Sequence, residues 1–529
     1  MLECYYDVNR LDDFERLFGH TYIGKHPTPL HNTFLVLHLD FSKVKPTGSL
    51  IEIEKRFDLT CNLEMRSVVK RNSIRFNDNL NIITVTDESS SNLQWLLSAI
   101  QEDKNLPKLY VIIDEYDNFA NQLITAQKDS LYHELTADDS FLKTFFKTLK
   151  EGRKTGAIAN VFITGVLPIT IDDMASGYNI ANFITLRSKF ENMLGFTPTE
   201  VEKLLDEIYH DHEIEANTRQ EVEAIIKNHY DGYHFVNPDG EPLYNSTLLM
   251  YFLEQLVEDK TLPTQLLDMN LKTDISWVRC LTASNPSLTE EFVDQLTLQN
   301  NIGYDNRRLM DKFNRFQFFE KGFFPISFFH LGMLTKQDYF YLKLPNLNLR
   351  QIFVEYFNEI HHIDVSCSYT EIMQRFINEP VLSQLFAGYW EQYVSQLPEA
   401  IFQQVNENFY RTTFYELCSR YLSHWFLWHV ERSYPQGKSD LEFVGKHNEK
   451  FAGLRWVIEF KYYSNTKFKE LKTSIEKFEL LEDDTLQIKG YVEGLKQEYP
   501  EAKISQFVIY CFGNQGFRVF EVPDVMLTK

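Results

Sequence analysis

The first 170 residues repeat one pattern, a short apolar run of strand length followed by sequence with helical periodicity. The runs are FLVLHLDFS (34–42), NIITVTD (81–87), LYVIIDEYD (109–117) and NVFITGVLPI (160–169), and SFLKTFFKTLKEGRKTG (140–156) is a clear helical stretch between them. Strands apolar on both faces need cover on both faces. Alternating strands and amphipathic helices supply it, so the pattern predicts an α/β domain built on a mainly parallel sheet. From TPTEVEKLLDEIYH (197–210) to about residue 325 the periodicity is helical, opened by a capping box with Thr197 at the cap and Glu200 three residues on. A short strand pair, SFFHLGMLT (327–335) and YFYLKLPN (339–346), precedes more helical sequence to about residue 430, including TTFYELCSRYLSHWFLW (412–428). The last hundred residues return to α/β: DLEFV and LRWVIEFKYY read as a hairpin, a Lys/Glu-rich helix follows, and QFVIYCFG and RVFEVP are closing strands.

At 529 residues the chain exceeds what one hydrophobic core supports. The expected divisions are 1–195, 196–325, 326–405 and 406–529. A hydrophobic share of 43% with 24% charged residues is that of a globular protein. No apolar run approaches the roughly eighteen residues of a membrane span, and MLECYYDVNRLDDF lacks the basic start and apolar core of a secretion signal, so no membrane partner and a cytoplasmic location are expected. Six widely spaced cysteines without a CxxC pair read as reduced thiols. The net charge of -22 argues against broad polyanion binding and leaves room only for a local basic groove.

YVIIDEYD (110–117) runs an apolar strand into two carboxylates. In a phosphate-loop hydrolase an acid at that place holds magnesium, usually through water, and a following Glu orients the attacking water, roles that Asp114 and Glu115 match. Thr164, ending the next strand, is placed to sense a terminal phosphate. The plain alternative is a buried strand ending in solvated acids. No GxxxxGK[ST] occurs in the sequence: GHTYIGKH (19–26) has Gly19, Gly24 and Lys25 but His26 in place of the hydroxyl residue, and QGKSD (436–440) has no Gly five residues before Gly437.

A second carboxylate set lies near the other end. SDLEFV (439–444) and WVIEFKYY (456–463) place Asp440 on one strand and Glu459 and Lys461 on the next, with Glu459 and Lys461 on one face because strand side chains alternate. If the strands pair, two carboxylates are available to hold magnesium, and the Lys to orient or deprotonate a water that attacks phosphorus. The alternative is a cross-strand ion pair on a wet face. In QIKGY (487–491) an i,i+4 spacing puts Gln487 and Tyr491 on one helical face. KYYSNTKFKELK (461–472) mixes Lys with aromatics, suited either to a phosphate backbone or to an ordinary solvated helix face. YHDHE (209–213), the pair His361–His362, and His424 with His429 read as a helix end, a polar connection and an i,i+5 spacing that does not align, not as metal sites.

Taken in order, LFGHTYIGKHPTPLHNTFLVLHLDFS, VIIDEYDN, FITGVLPI, NMLGFTPTEV, YDGYHF, HLGMLT with LPN, and IEFK resemble the bacterial AAA-ATPase-like proteins that carry a C-terminal PD-(D/E)XK nuclease domain. The resemblance spans nearly the whole chain. It implies a P-loop NTPase-like (AAA-like) parallel-sheet domain, a helical middle region and a C-terminal restriction-endonuclease-like α/β domain. It also implies a phosphate loop immediately before the helix corresponding to MLECYYD (1–7), so the chain is expected to be truncated just after that loop, with Mg2+ at Asp114 and ATP bound only where the loop is present. At the C-terminus it implies Asp440 and Glu459 as magnesium ligands, with Ser439 where the motif name has Pro, and Lys461 acting on the water. It further implies Glu416 completing the metal cluster and Gln487 anchoring DNA or the site. The expected function is a metal-dependent DNA endonuclease domain coupled to an incomplete AAA-like NTPase domain, with DNA as partner and homo-oligomers forming through the AAA-like domain. The alternatives are a non-catalytic nucleic-acid or protein binding module with both sites vestigial, and an NTPase switch whose effector is the nuclease fold.

Overall fold

The computed structural model describes residues 1–76, 83–126, 128–167, 180–263, 266, 285–310, 315–366, 369–434, 437–446 and 449–523. Two compact units result: the first holds Met1–Ile184 and Asp305–Leu331, the second Thr185–Ile275, Asn285–Tyr304 and Gly332–Lys529.

The first unit carries a parallel sheet in the order β1 (Leu35–Asp40), β2 (Leu109–Asp114), β3 (Ile158–Ile163). Its central strand is buried from Leu109 to Ile113 and reaches solvent at Asp114, as a strand covered on both faces requires. The longest helices that accompany it among the described residues are α1 (Leu50–Arg71), α2 (Ser89–Glu102) and α3 (Phe141–Thr155). A capping box between Ser49 and Glu52 starts α1. Ser140 caps α3 through the Lys143 amide, and Gly156 ends it at φ +83°, a left-handed conformation that costs glycine little. The expected strand at 81–87 does not form in its described part, 83–87; residues 81 and 82 lie outside the described residues. The Asn62 side-chain amide donates to the carbonyls of Val85 and Asp87, and that of Asn92 to Thr84, so side chains take the acceptors a strand neighbour would need.

The second unit opens with α4 (Pro198–Asp211), whose capping box between Thr197 and Glu200 is the one read from the sequence. With α5 (Arg219–Tyr230) and α6 (Ser246–Asp259) it buries Val201, Leu205, Val222, Ile226, Leu249 and Phe252 in one core. Helix α7 (Pro286–Gln299) and a small antiparallel sheet follow, with β4 (Ile302–Gly303), β5 (Thr335–Lys336) and β6 (Tyr341–Lys343) in the order β4-β6-β5. The strand expected over 327–335 is correct only at its end, because Phe324–His330 is helical. Helices α8 (Leu347–Ile360) and α9 (Glu407–Leu422) lead into a five-stranded sheet. Its strands are β7 (Phe426–Tyr434), β8 (Gly437–Gly445), β9 (Leu454–Tyr463), β10 (Lys503–Phe512) and β11 (Gly516–Val522), in the order β11-β10-β9-β8-β7. The helix expected to run through 412–428 stops at Leu422, and WFLW belongs to the turn and to β7.

In this sheet β9 and β10 are parallel while the other neighbours are antiparallel. A parallel pair needs a long crossover, and α10 (Glu482–Glu498) lies within it. One face packs Val457, Val508 and Tyr510 against Ile488, Tyr491, Val492 and Leu495 of α10. On the other, Phe443 and Phe460 meet Phe414 of α9.

Candidate active site

Strands β8 and β9 pair with Leu441 opposite Ile458. Residues of one parity therefore bury against α9, and those of the other, Glu459 and Lys461 among them, turn toward α10. Asp440 joins them: its Oδ2 accepts the Phe460 amide at 2.8 Å and its Oδ1 meets Arg411 Nη1 at 2.9 Å. Lys461 Nζ donates to Glu459 Oε1 at 3.0 Å and to Gln487 Oε1 at 3.1 Å, with Asp484 Oδ1 at 3.8 Å. The Gln487 amide donates to Glu459 Oε1 at 2.6 Å and to the Tyr491 hydroxyl at 2.7 Å. Asp440, Glu459, Lys461 and Gln487 are thus brought together.

Glu416 is not brought to this cluster. It is buried on α9 and paired with Arg420 one turn on. The carboxylate that α9 does supply is Glu407, which sequence reasoning missed. Nine residues at about 100° each put Glu416 half a turn round the helix from Glu407, so the two cannot serve one site. Helix phase follows from where α9 begins, and the Asn406 side chain begins it by accepting the Phe409 amide. That cap Asn was the available signal for Glu407. Asp484 was also missed, although it shares a face of α10 with Gln487 and Tyr491 at i, i+3 and i+7.

Electrostatics mark the cluster as a crowded acidic site. Burial, then the charge of Asp440, push Glu407 up to about 7, with Lys461 and Arg411 opposing. Burial and Asp440 likewise push Glu459 well above the usual carboxylate range, against Lys461. Glu459 Oε2 is buried without a hydrogen-bond partner among the described residues. Three carboxylates with one orphaned oxygen fit a hard divalent cation, whose ligands are oxygens.

In the first unit, Asp114 and Thr164 also meet: the Thr164 hydroxyl donates to Asp114 Oδ1, and its amide donates to the Ile113 carbonyl at 2.9 Å. Glu115 is exposed, takes a left-handed φ of +49° and accepts from the Asn118 amide, a strained backbone of the kind that gathers at functional sites. Asp117 braces the turn by accepting the amides of Leu167 at 2.7 Å and Val166 at 3.2 Å. His38, unmarked by the sequence reading, is held above its usual range by the hydrogen bond it donates to the Glu3 carboxylate, with Asp114 and Asp40 adding to the effect.

The His motifs go elsewhere. His429 is buried and neutral on β7, its proton affinity lowered by burial. His361 Nε2 lies 2.6 Å from Asp294 Oδ1, near Glu290, so the His361–His362 pair is less plain than a polar connection. The four cysteines among the described residues are free, and among those residues no helix is long and apolar enough to cross a membrane.

Comparison with known families agrees with both ends of the chain. Residues 1–175 match the family described as predicted AAA-ATPase, and residues 405–521 match the PD-(D/E)XK nuclease superfamily. No curated protein and no solved structure matches the chain. The protein therefore joins an AAA-ATPase-like domain to a PD-(D/E)XK nuclease domain.

Proposed function

We propose that the second unit is a magnesium-dependent DNA endonuclease whose working residues are Asp440, Glu459, Lys461, Gln487 and Glu407. The observation that carries this reading is the convergence of Asp440, Glu459 and Lys461 from β8 and β9, with Glu459 Oε2 left without a partner among the described residues. Asp440, Glu459 and Glu407 would hold magnesium, which when bound supplies a Lewis acid for the phosphate and a water acidic enough to become a nucleophile.

The chain's own groups have separable tasks. Glu459 Oε1 accepts from both Lys461 and Gln487, which fixes the carboxylate plane and leaves Oε2 for the cation. Both close contacts of Lys461 are to acceptors, so it works as an ammonium. It donates hydrogen bonds and lends positive charge to phosphate oxygens; in that state it has no lone pair with which to deprotonate water. Gln487, tied to Tyr491, holds Glu459 and Lys461 in register. The Phe460 amide and Arg411 orient Asp440.

The test is cleavage of plasmid and single-stranded DNA with magnesium or with EDTA. Magnesium-dependent cleavage that Asp440→Asn slows at least about 100-fold is expected; equal cleavage by the variant, or by wild type in EDTA, sinks the proposal.

One observation favours a second reading, a binding module without turnover: Arg411 already occupies an Asp440 oxygen that a cation would use. Cation titration separates the two readings, because the enzyme binds magnesium through Asp440 and Glu459 and the module does not.

For the first unit we infer an NTPase-type switch that acts on the nuclease. Asp114 would hold magnesium through water, Glu115 would orient the attacking water and Thr164 would sense the terminal phosphate of ATP. These residues form the acidic half of a nucleotide site, and the sequence contains no GxxxxGK[ST] to cradle phosphates. Assembly through this unit is part of the same reading.

A further inference from the structure

Beside Asp440 the second unit gathers cations around one acid, Glu431. Arg411 Nη2 lies 2.8 Å from Glu431 Oε1, and Arg350 Nη2 lies 3.5 Å from Glu431 Oε2. Lys343 of β6 and Lys438 of β8 act on the same carboxylate. Four cations therefore act on Glu431, and one of them, Arg411, also pairs with Asp440 and opposes the charge of Glu407. Burial alone would raise the Glu431 carboxyl; Arg350, Arg411 and Lys438 outweigh it and hold the group at about 2.

Three features distinguish this cluster from an ordinary ion-pair network. Glu431 has φ +54°, a conformation unfavourable for a residue with a side chain. The ladder pairs Val430 with Leu441 and Arg432 with Ser439, skipping Glu431 at the level of Asp440. Both guanidinium groups also keep a buried Nε–H without a partner among the described residues. Arg411 also gives Nη1 to Asp440 and Nη2 to Asn408 Oδ1 at 2.6 Å; a carboxylate offers its acceptor sites in one plane, whereas the two charged oxygens of a backbone phosphate sit on a tetrahedral centre and can accept from donors outside that plane. The side chain of Glu431 is 41% exposed while those of Arg350 and Arg411 are 14% and 7% exposed, so the arginines are reached from solvent through the place Glu431 fills.

We propose that Arg350, Arg411, Lys343 and Lys438 form a binding site for a backbone phosphate of single-stranded nucleic acid beside Asp440, and that the Glu431 carboxylate is the internal counter-anion the phosphate replaces. The hairpin that leads into Lys343 favours a nucleic-acid strand over a free phosphate. Its turn exposes Tyr339, Phe340 and Tyr341 at 51%, 73% and 43%, and Tyr341 shares a face of β6 with Lys343 at i,i+2. Cations interleaved with exposed rings suit a strand with unstacked bases. Arg350 and Lys343 lie outside residues 405–521, so half of the site comes from sequence preceding the nuclease match. The proposal takes its ligand class from the nuclease reading and its geometry from this cluster alone.

Binding is measured by anisotropy of a labelled single-stranded oligonucleotide in EDTA, which prevents cleavage, and by calorimetry with inorganic pyrophosphate. Arg350→Gln is expected to weaken oligonucleotide binding about tenfold and to reduce the salt slope by about 0.7. Lys438→Gln, at an exposed position, weakens binding of both ligands, and Glu431→Gln tightens binding several-fold. Oligonucleotide affinity unchanged in all three variants overturns the proposal and leaves the nuclease reading intact, and weaker binding by Glu431→Gln overturns the counter-anion role. Pyrophosphate binding that depends on Lys438, without any oligonucleotide binding, overturns the nucleic-acid assignment. Absence of cleavage with the expected binding pattern removes the nuclease reading and supports this site.

Discussion

Arg411 Nη1 lies 2.9 Å from Asp440 Oδ1, so one of the carboxylates that crowd Glu459 is already neutralised by a cation from α9. Both side chains are nearly buried, at 7% and 11% exposure. Removing one partner of such a pair leaves an uncompensated charge, which costs far more than the pair itself is worth.

Arg411→Gln is therefore expected to destabilise the second unit by about 3 kcal/mol in EDTA. Magnesium recovers part of the loss by supplying the missing positive charge. Thermal melts with and without magnesium check this, and a variant as stable as wild type in EDTA contradicts it.

Acid sensitivity of the second unit should come partly from His229. It is buried on α5 with Nδ1 2.8 Å from Asn348 Oδ1, and burial lowers it from 6.5 to about 4. A folded-state value below the unfolded one means that the neutral form is favoured in the fold. Its contribution is complete above pH 6.5 and is lost as pH falls from there toward 4, amounting to about 3 kcal/mol. Urea midpoints measured from pH 7.5 to 4.5 should fall less steeply in His229→Gln than in wild type.

In the first unit, Gly165 follows Thr164 where the chain passes Tyr116 and Asp117. A Cβ at that position would lie 2.3 Å from a Tyr116 ring carbon and 2.4 Å from Asp117 Oδ1. Gly165→Ala should cost roughly 1–3 kcal/mol of stability in this unit, read as a lowered denaturant midpoint; an unchanged midpoint would show that the turn yields freely.

Legibility followed the period of each element. Glu459 and Lys461 were readable because a strand alternates with period two whatever its start, and Asp440 because the neighbouring run has strand length. A helix hides its facing residue until its first residue is known, which is why Glu416 was expected where Glu407 stands. The apolar runs at 81–87 and 425–428 carried no period that separates turn, strand and helix, and the Asn62 and Asn92 amides decided the first of them. Glu431 was invisible: no local signal announces a left-handed Glu, and its partners Arg350 and Arg411 lie 81 and 20 positions before it in the chain.

The most direct measurement compares magnesium-dependent DNA cleavage by wild type, Glu459→Gln and Glu416→Gln. Glu459→Gln keeps the side chain's size and removes the charge that would hold the cation, so cleavage should fall at least about 100-fold. Glu416→Gln, half a turn from Glu407 on α9, should cleave within a few-fold of wild type. Cleavage by Glu459→Gln at the wild-type rate would contradict the account, as would loss of cleavage in a folded Glu416→Gln protein.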